Sequence, residues 1–191
     1  MSAADALRWQ ARWLERTGPV GAPEPFLVRA LQRLPPGPVL DIAAGDGRNA
    51  LWLAAQGRQV TAVDIAPAAI ARLRAQAGGR AVATRLADLD APGALAGLGG
   101  FAALVAIRYR PPAGQWPALL ATLAPGGCLL LCSFAVAQHV RHGMPCAFCL
   151  DGAALAAELA PSLRLLDWQE WEAGDASLAG SLWSLKQAEG R

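Results

Sequence analysis

The stretch Val39-Leu40-Asp41-Ile42-Ala43-Ala44-Gly45-Asp46-Gly47-Arg48-Asn49-Ala50 decides the reading of this chain. An apolar run carrying one acid passes into a glycine turn and then into a helical pattern that Gly57 stops. Gly45 and Gly47 are free to take positive φ and bring bare backbone against a ligand. The helix expected from Asn49 to Gln56 points unpaired N–H groups at the same place. Strand, tight turn and helix in that order predict the first unit of an α/β sheet with a ligand at its turn.

From this stretch outward, short Val, Leu and Ile runs alternate with alanine-rich helical segments, the pattern of repeated strand-helix-strand units. Strands are expected at Val39 to Ile42, Val60 to Val63, Val82 to Ala87, Ala103 to Ile107, Cys128 to Phe134, Leu163 to Glu170 and Leu182 to Gln187. The last two are separated by Ala173-Gly174-Asp175-Ala176-Ser177, too short for a crossover helix, so they must pair antiparallel. The expected fold is a doubly wound, seven-stranded, mostly parallel α/β sheet with an antiparallel C-terminal hairpin. With 191 residues and 54% hydrophobic content, a single domain over residues 1–191 is expected. Trp9, Trp13 and their neighbours precede Gly18, Pro19, Gly21 and Pro23, so residues 1–34 read as an N-terminal helical cap.

Two further strand ends carry acids. Val60-Thr61-Ala62-Val63-Asp64 ends in a carboxylate able to accept both hydroxyls of a ribose, and Ala87-Asp88-Leu89 offers an acceptor for an adenine amino group beside an apolar side chain. Gly45-x-Gly47-x-x-Ala50 also fits the dinucleotide fingerprint, with Asp64 at the matching distance. Asp41 separates the two readings. A pyrophosphate-binding turn has no use for a carboxylate at the end of its strand, whereas an amino acid with a cationic sulfonium presents an ammonium group to it.

These residues resemble the motifs of class I methyltransferases that use S-adenosylmethionine (SAM), over about Pro38 to Gln187. Gly47-Arg48-Asn49-Ala50-Leu51-Trp52-Leu53 is similar to the tellurite-resistance branch, and Pro145-x-x-Phe148-x-Leu150 with Leu155 is similar to its substrate-side loop. The chain departs from the family at Ala43, where glycine is usual, and at Ala102, where an acid is common. The resemblance implies a Rossmann-like fold, SAM as cofactor, and methyl transfer to a small acceptor of thiol, chalcogen oxyanion or amine type. It implies cofactor contacts at Asp41, Ala43, Gly45, Gly47, Arg48, Asn49, Asp64, Ile65, Asp88, Leu89 and Ile107.

On the acceptor side, strand four delivers Ile107-Arg108-Tyr109-Arg110. Arg108 and Arg110 suit an anionic acceptor, but alternation along a strand turns them opposite ways. Methyl transfer needs alignment and exclusion of water rather than a compulsory base. Where a proton must leave, Tyr109 and His139 are the candidates, with Arg108 as the orienting group. Segment 138–150 reads as a mobile lid in which Gln138 or His139 faces the acceptor while Phe148 and Leu150 anchor it. His139, His142, Cys146 and Cys149 have tetrahedral-site chemistry, yet their spacing is tighter than in familiar zinc fingers, and no metal is expected. Arg8, Arg12 and Arg16 recur every fourth residue and read as a solvated helix face, with the lining of an anion pocket as the alternative.

Composition narrows the alternatives. A net charge of +2 spread along the chain lacks the basic stripe of a nucleic-acid binder. No segment reads as a signal peptide or membrane span, so a cytoplasmic protein with reduced cysteines is expected. A nicotinamide-dependent oxidoreductase would need catalytic residues not found here, such as a Tyr-x-x-x-Lys pair, since the sole lysine is Lys186. A non-catalytic SAM- or nucleotide-sensing module shares every binding residue and differs only in turnover. The oligomeric state is not legible.

Overall fold

The structure, a computed structural model, describes residues 3–186. The apolar runs become strands β1 (Val39–Ile42), β2 (Val60–Asp64), β3 (Val82–Leu86), β4 (Phe101–Ile107) and β5 (Leu123–Ala135), all paired in parallel. The short β6 (Cys149–Leu150) pairs with the end of β5, and β7 (Leu163–Ala173) and β8 (Ala176–Leu185) form the antiparallel hairpin. Strand order is β3-β2-β1-β4-β5-β8-β7, the mixed α/β sheet of the Rossmann-like methyltransferase fold. Its order reverses between β1 and β4, where an open α/β sheet leaves a crevice beyond the strand ends.

The helices are α1 (Ala3–Glu15), α2 (Pro25–Ala30), α3 (Arg48–Ala55), α4 (Pro67–Ala77), α5 (Trp116–Leu120), α6 (Val136–His142) and α7 (Gly152–Leu159). Both faces of the sheet are covered, so its central strands are apolar throughout. Leu40, Ile42, Leu104, Leu129 and Leu131 pack with Trp116, Leu119, Leu155 and Leu159 on one face. Val39, Val60, Ala62, Val105 and Leu130 pack with Phe26, Leu27, Ala50, Leu53 and Leu73 on the other. Alternation along β1 therefore turns Asp41 toward the α2 and α3 side. No helix among the described residues is long and apolar enough to cross a membrane.

Strand boundaries differ most from the sequence expectation at three places, with shifts of one to three residues at β2, β3, β4 and β7. β5 begins at Leu123, and its register against β4 shifts between Phe101 and Ala103 to absorb Pro125, Gly126 and Gly127. β6 is an additional two-residue strand. β8 starts at Ala176 instead of Leu182, while the expected end at Gln187 lies outside the described residues. The early part of β8, Ala176-Ser177-Leu178-Ala179-Gly180-Ser181, is poor in strand-forming residues but is paired with β5 and β7, and Phe26 of α2 lies on Gly180. A Cβ at Gly180 would come within 2.8 Å of the Phe26 ring, which itself stacks on Trp171 at 5.7 Å.

Gly47 is needed twice over: its φ is +84°, and a Cβ there would lie 2.1 Å from Leu73 Cδ1. Gly47→Ala should cost at least about 1–3 kcal/mol from backbone strain alone. Urea titration should show Leu73→Ala recovering part of the contact penalty when combined with it. A neutral Gly47→Ala would contradict this packing.

Candidate active site

A crevice of about 960 Å³ opens at the carboxyl ends of β1, β2 and β4, roofed by α1. Its floor is the glycine turn, with Ala43, Ala44, Gly45, Asp46, Arg48 and Asn49 along it. Ala43 has φ +51°, the left-handed backbone that glycine takes without strain, which is the structural counterpart of the alanine standing where glycine is usual. Gly45 is also left-handed, and the indole of Trp13 rests on it where a Cβ would lie 2.5 Å away.

Asp41 lies below this floor, 1% exposed, with no hydrogen-bond partner for Oδ2 among the described residues. Burial pushes its carboxyl up to about 7, against the pull of the Arg48 guanidinium; the Asp64 charge adds to the rise and the Ala50 N–H lowers it. Asp64 is placed by its neighbours: Oδ2 accepts the Gly45 N–H at 2.8 Å and Oδ1 accepts the Ala66 N–H at 2.9 Å. Burial also raises the Asp64 pKa, and these backbone N–H groups oppose the rise. Asp64 thus ties the end of β2 to the glycine turn while lining the crevice.

Among the other expected cofactor contacts, Ala43, Gly45, Arg48, Asn49, Ile65, Leu89 and Ile107 line the crevice. Asp41, Gly47 and Asp88 do not reach its surface: Gly47 is turned to Leu73, and Asp88 Oδ1 accepts the Asp90 N–H at 3.0 Å. On the acceptor side, Arg108 and Tyr109 line it together with Trp9, Pro145, Ala147 and Phe148. Arg108 sits past the end of β4 at φ +60°, so strand alternation no longer governs it, and its guanidinium stacks 4.8 Å over Phe134. Arg110 also lines the crevice, with its guanidinium held by Glu158 at 2.5 Å.

Tyr109 donates to Gln115 Oε1 at 2.7 Å, and Gln115 in turn donates to Asp90 Oδ1 at 2.6 Å. Burial pushes the Tyr109 hydroxyl up to about 12, so it stays protonated at neutral pH. His139 does not face the acceptor as expected. It is exposed on α6, outside the crevice, with Nδ1 2.7 Å from the Met144 carbonyl oxygen. Gln138 does not face it either, because its side chain accepts the Ser177 N–H at 2.7 Å and braces β8. Phe148 lines the crevice and Leu150 is in the core. Among the described residues no three His, Cys, Asp or Glu side chains gather as a metal site, and all four cysteines are free thiols.

Arg8, Arg12 and Arg16, expected as a solvated face, are exposed and also line the crevice mouth, with Arg12 5.3 Å over Trp9 and Arg16 5.1 Å over Trp13. Sequence reading missed Glu24 and Asp46. Glu24 stands between two prolines and reads as a turn residue; Asp46 sits inside the glycine turn, where an acid is unremarkable, yet it is buried and faces Arg16 at 3.4 Å and Arg72 at 3.7 Å.

Residues 39–127 match the family described as a methyltransferase domain. The matched stretch, just under half of the chain, runs through the glycine turn and strands β1 to β4 and is similar to a methyltransferase domain. Among solved structures it is similar to a SAM-dependent methyltransferase from Anabaena variabilis, at 16% identity and TM-score 0.73 over 97% of this chain and 96% of that one. It is similar to the N-methyltransferase NodS from Bradyrhizobium japonicum, solved with S-adenosylhomocysteine (SAH), at 18% identity and TM-score 0.71 over 95% and 99% of the two chains. TehB from Haemophilus influenzae aligns at 20% identity and TM-score 0.68 over 85% of this chain and 62% of that one. At these identities the likeness bears on the fold. No curated protein matches the sequence.

The carboxyl of Asp41 carries a pH signature. Its folded pKa of about 7 exceeds the ordinary 3.8, so the folded state keeps the proton longer and stability falls as pH rises from about 4 to about 7. Asp41→Asn should flatten that decline, gaining more on the wild type at pH 8 than at pH 4.5 in urea titrations of ligand-free protein. The raised Asp64 contributes a slope of the same sign that the variant leaves in place.

Proposed function

We propose that the chain methylates a small-molecule acceptor of thiol, chalcogen oxyanion or amine type by in-line displacement within the crevice under α1. The observation that carries the reading is the buried Asp41 oxygen without a partner beneath a glycine turn, a place suited to an ammonium group. In this reading Asp41, which does not itself line the crevice, holds that ammonium through one water. Asp64 accepts the ribose hydroxyls with the lone pairs its backbone bonds leave free. Asp88 accepts from the adenine amino group, and Ile65, Leu89 and Ile107 pack on the adenosine. When bound, SAM supplies a methyl group on a positively charged sulfur.

The chain's own contribution is then placement and dryness. Trp9, Trp13, Tyr109 and Phe148 line the crevice with aromatic surface, and Arg108 orients an acceptor that carries negative charge. A protonated Tyr109 and an outward His139 favour an acceptor that arrives as its own nucleophile, a thiolate or an oxyanion, over one that must first lose a proton.

Calorimetry with SAM should show Asp64→Ala binding at least about tenfold more weakly, since hydrogen bonds to a charged group exceed the ~1.4 kcal/mol of a tenfold change. A folded variant with wild-type affinity would remove Asp64 from the cofactor site. Labelled methyl transfer should then be screened on thiols, chalcogen oxyanions and small amines. Tight SAM binding with transfer to none of them would favour a sensor over an enzyme acting on these classes.

A further inference from the structure

Glu24, just before α2, is 1% exposed and is not explained by cofactor contacts or by the core. Its N–H donates to Asn49 Oδ1 at 2.9 Å, fastening the chain to the start of α3. Its Oε2 accepts from Arg48 Nη2 at 3.3 Å and from Arg108 Nη2 at 3.5 Å. Arg48 turns its other terminal nitrogen to the Ala22 carbonyl at 3.3 Å, so both point into the 22–24 segment. Oε1 has no nitrogen or oxygen donor among the described residues; burial raises the pKa of the neighbouring Cys132 thiol, and the Glu24 charge adds to the rise.

Asp41 is a second buried carboxyl under the influence of Arg48, and it keeps Oδ2 unbonded while Glu24 holds the guanidinium. Arg48 thus bonds one buried acid and acts by its charge on a second, and a full ion pair with Asp41 would occupy the oxygen that the ammonium group needs. We propose that Glu24 is a positioning residue that holds Arg48 off Asp41 and so keeps the ammonium site open. The proposal rests on the reading of Asp41 given above.

The charged groups acting on Asp41 are Arg48 from α3 and Asp64 from β2; its strand partners Ala62 and Val105 are apolar. Those around Glu24 are Arg48 and Arg108, with the Cys132 thiol of β5 beside them. Without the Glu24 charge, Arg48 loses its ion-pair partner and Asp41 is the buried carboxyl it already acts on. Pairing there would make Asp41 more acidic and compete with the cofactor.

The test is SAH affinity measured by calorimetry from pH 5.5 to 8.5. Wild-type affinity should rise with pH to a plateau, with a midpoint near the Asp41 value of about 7. Glu24→Gln should lower the midpoint by about one pH unit or more and weaken plateau binding about tenfold, whereas Arg48→Met should raise the midpoint. Glu24→Gln combined with Arg48→Met should return plateau affinity to within about threefold of wild type. A Glu24 with only a bracing role would lower thermal stability and leave the midpoint in place.

An unmoved midpoint in Glu24→Gln, or a double variant as weak as that single one, overturns the proposal. If Glu24→Gln does not fold, Arg48→Met decides, and an unchanged midpoint there overturns it. A wild type that fails to bind SAH, or binds it without titrating, contradicts the Asp41 reading and removes this proposal with it. A titrating wild type with an unmoved Glu24→Gln midpoint overturns the proposal alone.

Discussion

A carboxyl group buried at the end of the first strand, with one oxygen unbonded, is the constraint around which the rest of this molecule is arranged. Leaving a buried acceptor without a donor costs about 1–3 kcal/mol, and more for a charged group, so such an oxygen calls for a physical explanation. Asp41 relieves part of that cost by holding its proton to about pH 7. In the proposed reading the cofactor's ammonium group completes the bonding of that oxygen and supplies the missing charge. The glycine turn lies above it, the helix start beyond it, and the Asp64 carboxylate fastens the turn.

The N-terminal segment is the second half of the arrangement. Gln10 accepts the Ala68 N–H at 2.8 Å, Arg72 donates to the carbonyls of Arg16 and Gly18 at 2.7 and 3.0 Å, and Arg16 faces the buried Asp46 of the glycine turn. These polar ties, with Trp13 on Gly45, seat α1 over the crevice, while α2 is fixed from below by the packing of Phe26 against β8. Strain is confined to the same region: the two described non-glycine residues with positive φ, Ala43 and Arg108, lie on the floor and on the acceptor wall.

The central strands and the glycine turn were legible because burial on both faces writes itself as continuous Val, Leu and Ile, and because Asp41, Gly45, Gly47 and Asp64 sit at strand ends where few residue types serve. The hairpin was legible from its short loop. The first half of β8 was not, since what makes it a strand is pairing with β5 and β7, which the fold brings to it. The acceptor wall was read less well for the same reason. Arg108 leaves the alternation of β4 through a left-handed backbone, His139 is turned outward by the Met144 carbonyl, and Glu24 acquires its meaning only from Arg48, Asn49 and Arg108, which the fold brings to it.

If Asp41 receives the ammonium group, cofactor binding must expel the proton that burial keeps on it. SAM binding should therefore be measured by calorimetry at pH 6.5 in buffers of different ionisation enthalpy. The account expects release of more than about half a proton per SAM bound in the wild type, and almost none in Asp41→Asn. Binding without proton release in the wild type, or equal release in the two proteins, would contradict it.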